Sequence, residues 1–166
     1  MNGGGKQKLA TLSNKQRILD LYTSPVLILM DKVFRDLVRE VKQSYPEETC
    51  GVMGGFIKGD EIVVSCVNKL SNTSVEKGKF WFNELDWIHK VALLISHGLE
   101  YIGLYHSHPS PTLAPSPSDL ERMVECPGAI WLILSYTPVS KLLMGAWTIP
   151  NFSSGLLRIP VIVKRE

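Results

Sequence analysis

At 166 residues, with 45% hydrophobic and 20% charged side chains, the chain has the size and composition of one folded domain and is too short for two ordinary ones. A net charge of +2, with basic residues scattered apart from short groups near each end, argues against a nucleic-acid-binding stripe, and no apolar run approaches the roughly eighteen residues that cross a bilayer. Cys50, Cys66 and Cys126 are odd in number and lack a CxxC pair, so they suggest neither a disulfide framework nor a cysteine metal site; with no secretory signal in view, a reducing, cytoplasmic location is expected.

Residues 1–24 read as an N-terminal extension outside the fold. MNGGGKQK is glycine-rich and polar, and Lys6, Lys8, Lys15 and Arg17 fit a solvated tail. Ser13 with Gln16 resembles a capping box ahead of a short accessory helix carrying Ile18, Leu21 and Tyr22. The folded domain is expected over 25–166. PVLILM predicts a buried strand, and Asp31 is placed to N-cap a helix over 32–44 with Phe34, Leu37, Val38 and Val41 as its apolar face and Pro46 beyond its end. CGVMGGFI and EIVVSCVNKL predict a hairpin turning at Lys58, Gly59 and Asp60. Residues 71–79 read as an exposed loop. Asn83 then caps a second helix to about Ser96, with Ile88, Val91, Ala92 and Ile95 as the buried stripe and Gly98 past its end. YIGLYHSH begins a strand. A Pro/Ser-rich loop, a short helix over 117–124 and three strand-like runs, AIWLILSY, KLLMGAWTI and GLLRIPVIV, complete the chain. Helices alternate with hairpin-like strands without a regular βαβ repeat, which predicts an α/β sandwich around a mixed, mostly antiparallel sheet flanked by helices.

The informative segment is His106, Ser107, His108 and Pro109, followed at a distance by Ser116 and Asp119. On an extended strand residues i and i+2 share a face, so His106 and His108 present two imidazoles to one point while Ser107 faces away. Pro109, Pro111, Pro115 and Pro117 restrict the intervening loop, and Ser116 before Pro117 resembles an N-cap with proline at the first helical position, which places Asp119 in the first turn. Two histidines and a carboxylate suit one catalytic Zn²⁺, because three protein ligands leave the fourth tetrahedral position to water. A general base is still needed, and Glu47 and Glu48, just ahead of CGVMGGF, offer candidates.

ETCG, then YHSHP, then Ser116 with Asp119 resemble the signature of the JAMM (MPN+) zinc metallopeptidases, over residues 25–165. The resemblance implies a JAMM/MPN sandwich, broadly like that of the cytidine deaminases. It implies His106, His108 and Asp119 as metal ligands, Glu48 as catalytic acid/base with Glu47 ranked second, and Ser116 as an oxyanion donor. Ser116 as a simple helix cap competes with that role. Implied too are isopeptidase activity behind the C-terminal glycine of ubiquitin or a ubiquitin-like modifier, and association with a proteasome or another protein complex. The compact length after Asp119 resembles prokaryotic or archaeal members similar to the proteasome-lid deubiquitinase, a compact deubiquitinase or desampylase, and weakens any claim of linkage specificity.

Alternative readings are a peptidase processing a sulfur-carrier ubiquitin-fold protein, a non-catalytic MPN interaction module, and a DNA-associated relative, the last unsupported by any basic stripe. A cytidine deaminase would need PCxxC, which Cys126 and Pro127 do not supply. His89 and His97 stand eight apart, not at the HExxH spacing, and read as surface residues. A substrate tail could add to a strand edge near 71–79 and GKFWFN, with Trp81 and Phe82 either contacting that partner or belonging to the core.

Overall fold

A computed structural model describes residues 24–73 and 81–165; the capping box of the extension and residues 74–80 of the loop lie outside the described residues. The chain runs β1 (Val26–Met30), α1 (Asp31–Ser44), β2 (Cys50–Lys58), β3 (Glu61–Leu70), α2 (Glu84–Ser96), β4 (Glu100–His108), α3 (Pro117–Glu125), β5 (Ile130–Ser135), β6 (Leu143–Thr148), β7 (Leu157–Ile159) and β8 (Val161–Lys164). The strands form one eight-stranded sheet in the order β7-β6-β5-β4-β2-β3-β1-β8. It is mixed, as expected. Parallel pairings join β1 to β3 and β8 and β4 to β5, and the other four are antiparallel.

Two layers cover the sheet. Val33, Leu37 and Val41 of α1 pack on Leu27, Leu29, Val64, Leu132 and Leu134 on one face. Leu94 of α2 and Met123 of α3 pack on Val52, Leu70, Leu104 and Trp131 on the other. No described helix is long and apolar enough to cross a membrane.

The sequence reading departs from the structure at three elements. Asp31 is the first helical residue, not the cap. Met30 holds the cap position and still pairs with Lys164 in the sheet, so strand passes directly into helix with no residue spared for a side-chain cap. Asp31 instead places its charge at the helix N-terminus and pairs with Arg35 at 3.0 Å. In α2 the buried stripe is rotated from the expected one: Leu94 is buried, Trp87 and Val91 pack beside it, and Ile88, Ala92 and Ile95 face outward. The helix is apolar on nearly every side, so periodicity alone could not select a face; the sheet selected it, because Gly54 leaves room for Leu94 where a Cβ would collide. Finally, GLLRIPVIV is two strands, not one. Pro160 lacks an N–H and breaks the ladder. β7 pairs with β6 at one end of the sheet and β8 with β1 at the other, so the sheet curls until its two edge strands are joined through one proline.

A bulge in β4 sets which side chains face which layer. Tyr101 packs in the α2/α3 layer and Ile102 in the α1 layer, and pairing with β2 then jumps from Tyr101 opposite Gly54 to Gly103 opposite Met53. After the jump the even-numbered residues, Leu104 and His106, face the α2/α3 layer, while Tyr105 faces α1. Gly103 has φ 156°, and a Cβ there would collide with the Ile130 carbonyl, so glycine is required at this point.

Candidate metal centre and catalytic site

His106 and His108 end β4, and Asp119 is the third residue of α3. All three are buried, and one potential ligand atom from each lies within 4.8 Å of the others. His106 Nε2 is 3.0 Å from His108 Nε2. The Asp119 carboxylate stands 3.3 Å from each imidazole, Oδ1 toward His106 and Oδ2 toward His108. This group can hold a metal ion.

The surrounding backbone orients these side chains. His108 Nδ1 lies 2.9 Å from the Thr112 carbonyl, which can only accept, so Nδ1 carries the hydrogen and neutral His108 turns a lone pair on Nε2 toward the cluster. Two further bonds hold the loop between the histidines and Asp119: Ser135 Oγ donates to Ser110 O at 2.5 Å and Trp147 Nε1 donates to Leu113 O at 3.0 Å. At the start of α3 the expected cap is present in full. Ser116 Oγ accepts from the Asp119 amide at 3.2 Å, and the Ser116 amide donates to Asp119 Oδ2 at 2.7 Å. The capping box thus also aims a candidate metal ligand.

Electrostatics follow from burial. Burial would raise the Asp119 carboxyl, but hydrogen bonds from His106, His108 and Ser116 bring it well below the usual carboxylate range. Burial lowers His106 despite Asp119 beside it. For His108 burial is outweighed by its bonds to Asp119 and Thr112, and its pKa rises.

Glu48 is buried at 8% exposure and Glu47 is exposed, which separates the two candidate bases by environment. Burial pushes the Glu48 carboxyl up to about 7; the charges of His108 and Arg122 pull it down and that of Asp119 pushes it up. Its carbonyl accepts from Asn72 Nδ2 at 2.9 Å. Asn72 Oδ1 in turn accepts from the Trp81 amide at 3.1 Å, and Asn72 forms an isolated bridge with Phe82. Residues 72 and 82 are thereby drawn together beside Glu48. Arg122 stacks 4.0 Å over the Trp81 ring, which is 40% exposed, while Phe82 packs into the core. Phe82 thus belongs to the core, one of the two alternatives for this pair, and Trp81 lies at the surface.

Sequence reasoning missed Asn72, Thr112 and Arg122. Only Arg122 carried a signal, standing three residues after Asp119 and so on the same helical face. Burial pushes the Cys50 thiol up to about 12, which removes it as a nucleophile. His89 and His97 are exposed, as expected.

Residues 30–149 match the family described as prokaryotic homologs of the JAB domain. A desampylase from Haloferax volcanii is 34% identical over 110 residues, covering 64% of this chain and 74% of that protein. The solution structure of a Desulfitobacterium hafniense protein superposes with a TM-score of 0.74 at 26% identity, covering 85% of this chain and 94% of that one. A JAB1/MPN domain protein from Archaeoglobus fulgidus shares the fold, with a TM-score of 0.51 at 18% identity over 85% of this chain and all of that one.

Proposed function

The chain belongs to the JAMM/MPN family as a prokaryotic-type JAB-domain protein, and on that premise we propose that it is a zinc-dependent isopeptidase cleaving the amide bond after the C-terminal glycine of a ubiquitin-like modifier. The observation that carries the reading is the convergence of His106, His108 and Asp119 beside a buried glutamate. The donor set fits zinc. Bonds of about 2.0–2.1 Å in a tetrahedron separate ligand atoms by about 3.3 Å, and each imidazole Nε2 has one Asp119 oxygen at that distance, Oδ1 for His106 and Oδ2 for His108. When bound, zinc supplies Lewis acidity, lowering the pKa of a water and polarising a carbonyl.

The chain's own residues supply the rest. Glu48, buried and poised near neutrality, takes the proton of the attacking water and delivers it to the leaving amine. Ser116 Oγ accepts from the Asp119 amide to cap α3 and lies 3.1 Å from Ser118 Oγ, where either hydroxyl could donate; with Ser118 as that donor, the Ser116 O–H is left for the oxyanion, and one hydroxyl serves both as cap and as donor. His108 is kept in its metal-ready tautomer by Thr112. The likeness to a desampylase supports a ubiquitin-like modifier as the substrate class.

A panel of modifier fusions and lysine isopeptide conjugates, assayed with wild type and Glu48→Gln, tests the proposal. Cleavage after the terminal glycine by wild type alone is expected. Cleavage restricted to linear sulfur-carrier fusions would redirect the reading, and an undiminished Glu48→Gln variant would refute the acid/base role.

A further inference from the structure

Strand alternation after the β4 bulge sends Tyr105 to the face opposite the metal cluster, toward α1. There Glu40 of α1 gathers two hydroxyls. Thr49 Oγ1 donates to Glu40 Oε1 at 2.5 Å, and the Tyr105 hydroxyl lies 3.0 Å from both carboxyl oxygens. Gly51 makes the second contact possible, because a Cβ at that position would collide with the Tyr105 ring and hydroxyl. Burial, then the Glu40 charge beside it, raise the Tyr105 phenol far above its ordinary range, so it remains a donor.

Thr49 is held on three sides. Its amide donates to Ser107 Oγ at 3.0 Å, its carbonyl accepts from the Ser107 amide at 2.9 Å, and its hydroxyl is held by Glu40. The peptide joining Glu48 to Thr49 is thereby fixed at both ends, its carbonyl by Asn72 and its N–H by Ser107. Ser107 stands between the two histidine ligands, so the same contacts lock β2 to β4 in the register that opposes Cys50 to His106.

We propose that Glu40 is a positioning residue for the reaction inferred above: by holding Thr49 and Tyr105 from behind the sheet, it fixes the backbone from which Glu48 reaches the metal cluster. This rests on the isopeptidase reading for its kinetic consequence but not for its structural one. It also gives Thr49 and Gly51 of the ETCG segment a role, one as the tether and the other as the gap that admits Tyr105. Placement errors of about 1 Å in a catalytic group cost on the order of a hundredfold in rate.

The test uses three variants. Glu40→Ala is expected to lower kcat about 10- to 100-fold with KM and zinc content unchanged, while Glu40→Gln, which keeps an acceptor for Thr49, recovers most of the rate. Thr49→Val removes only the tether and is expected to show the same kcat loss if Glu40→Ala does not fold. Independently of activity, amide hydrogen exchange in the metal-free protein is expected to speed up at Thr49 and Ser107 by about tenfold or more in Glu40→Ala, leaving Val52 and Leu104 protected. Wild-type kcat and wild-type exchange at Thr49 in a folded Glu40→Ala or Thr49→Val protein would overturn the proposal. Loss of zinc in parallel with activity would also overturn it, by making Glu40 a general support of the fold. Should wild type cleave no modifier, the exchange measurement still decides the structural claim, and the two failures stay distinct.

Discussion

Replacing Glu48 by glutamine is expected to stabilise the metal-free protein by an amount that grows as pH rises from about 4.5 to 7. The side chain is 8% exposed, and burial moves its pKa from 4.5 to about 7. Between those values the native chain holds a proton that the unfolded chain has released. Native stability therefore falls as pH rises through this window. At about 1.4 kcal/mol per pH unit, the accumulated loss above neutrality is about 3 kcal/mol. Glutamine carries no charge and escapes it, so the stability difference between variant and wild type should grow by about that amount from about pH 4.5 to 7 and then level off. Whatever constant offset the amide introduces cancels in this comparison. Urea denaturation of chelator-treated protein across the window measures the difference directly. With zinc restored the gap should shrink, since a neighbouring cation favours the ionised carboxyl. A difference that does not change with pH, or one that grows toward acid, would refute the argument that burial sets the protonation of Glu48.

Gly103→Ala places a Cβ against the Ile130 carbonyl at φ 156°, and should cost at least about 2 kcal/mol in chemical denaturation while weakening zinc retention, because the bulge sets the phase of His106 and His108. Ser116→Ala should lose about 1 kcal/mol of stability from the cap and reduce kcat about a hundredfold with zinc still bound; a stability loss with normal kcat would leave Ser116 a cap alone. Arg122→Ala removes a positive charge that lowers the Glu48 pKa, so the acidic limb of the rate profile should move to higher pH; an unmoved limb would show that Arg122 acts only through its stacking on Trp81.

The convergence of His106, His108 and Asp119 was legible because it is local chemistry. Period-two alternation puts His106 and His108 on one face, and Ser116 with Pro117 marks a helix start that aims Asp119, so spacing alone carries the geometry. Alternation could not reveal that a bulge at Gly103 decides which face this is, since that depends on pairing with β2. The buried side of α2 was hidden for a related reason: a helix apolar all round is oriented by its neighbour, here the gap at Gly54. Separating β7 from β8 depended on weighing Pro160 within an otherwise continuous apolar run. Asn72 and Glu40 act at sequence distances of 24 and 9 residues from Glu48 and Thr49 respectively, through contacts that exist only after the sheet has formed.

Metal content of the purified chain, determined alongside cleavage of a modifier conjugate before chelation, after chelation and after zinc add-back, tests the central claim most directly. The expected result is about one zinc per chain, with activity abolished by the chelator, restored by zinc, and absent from His106→Ala and Asp119→Asn proteins that no longer retain the metal. Cleavage that persists in fully metal-free protein, or a folded chain that takes up no zinc, would contradict it.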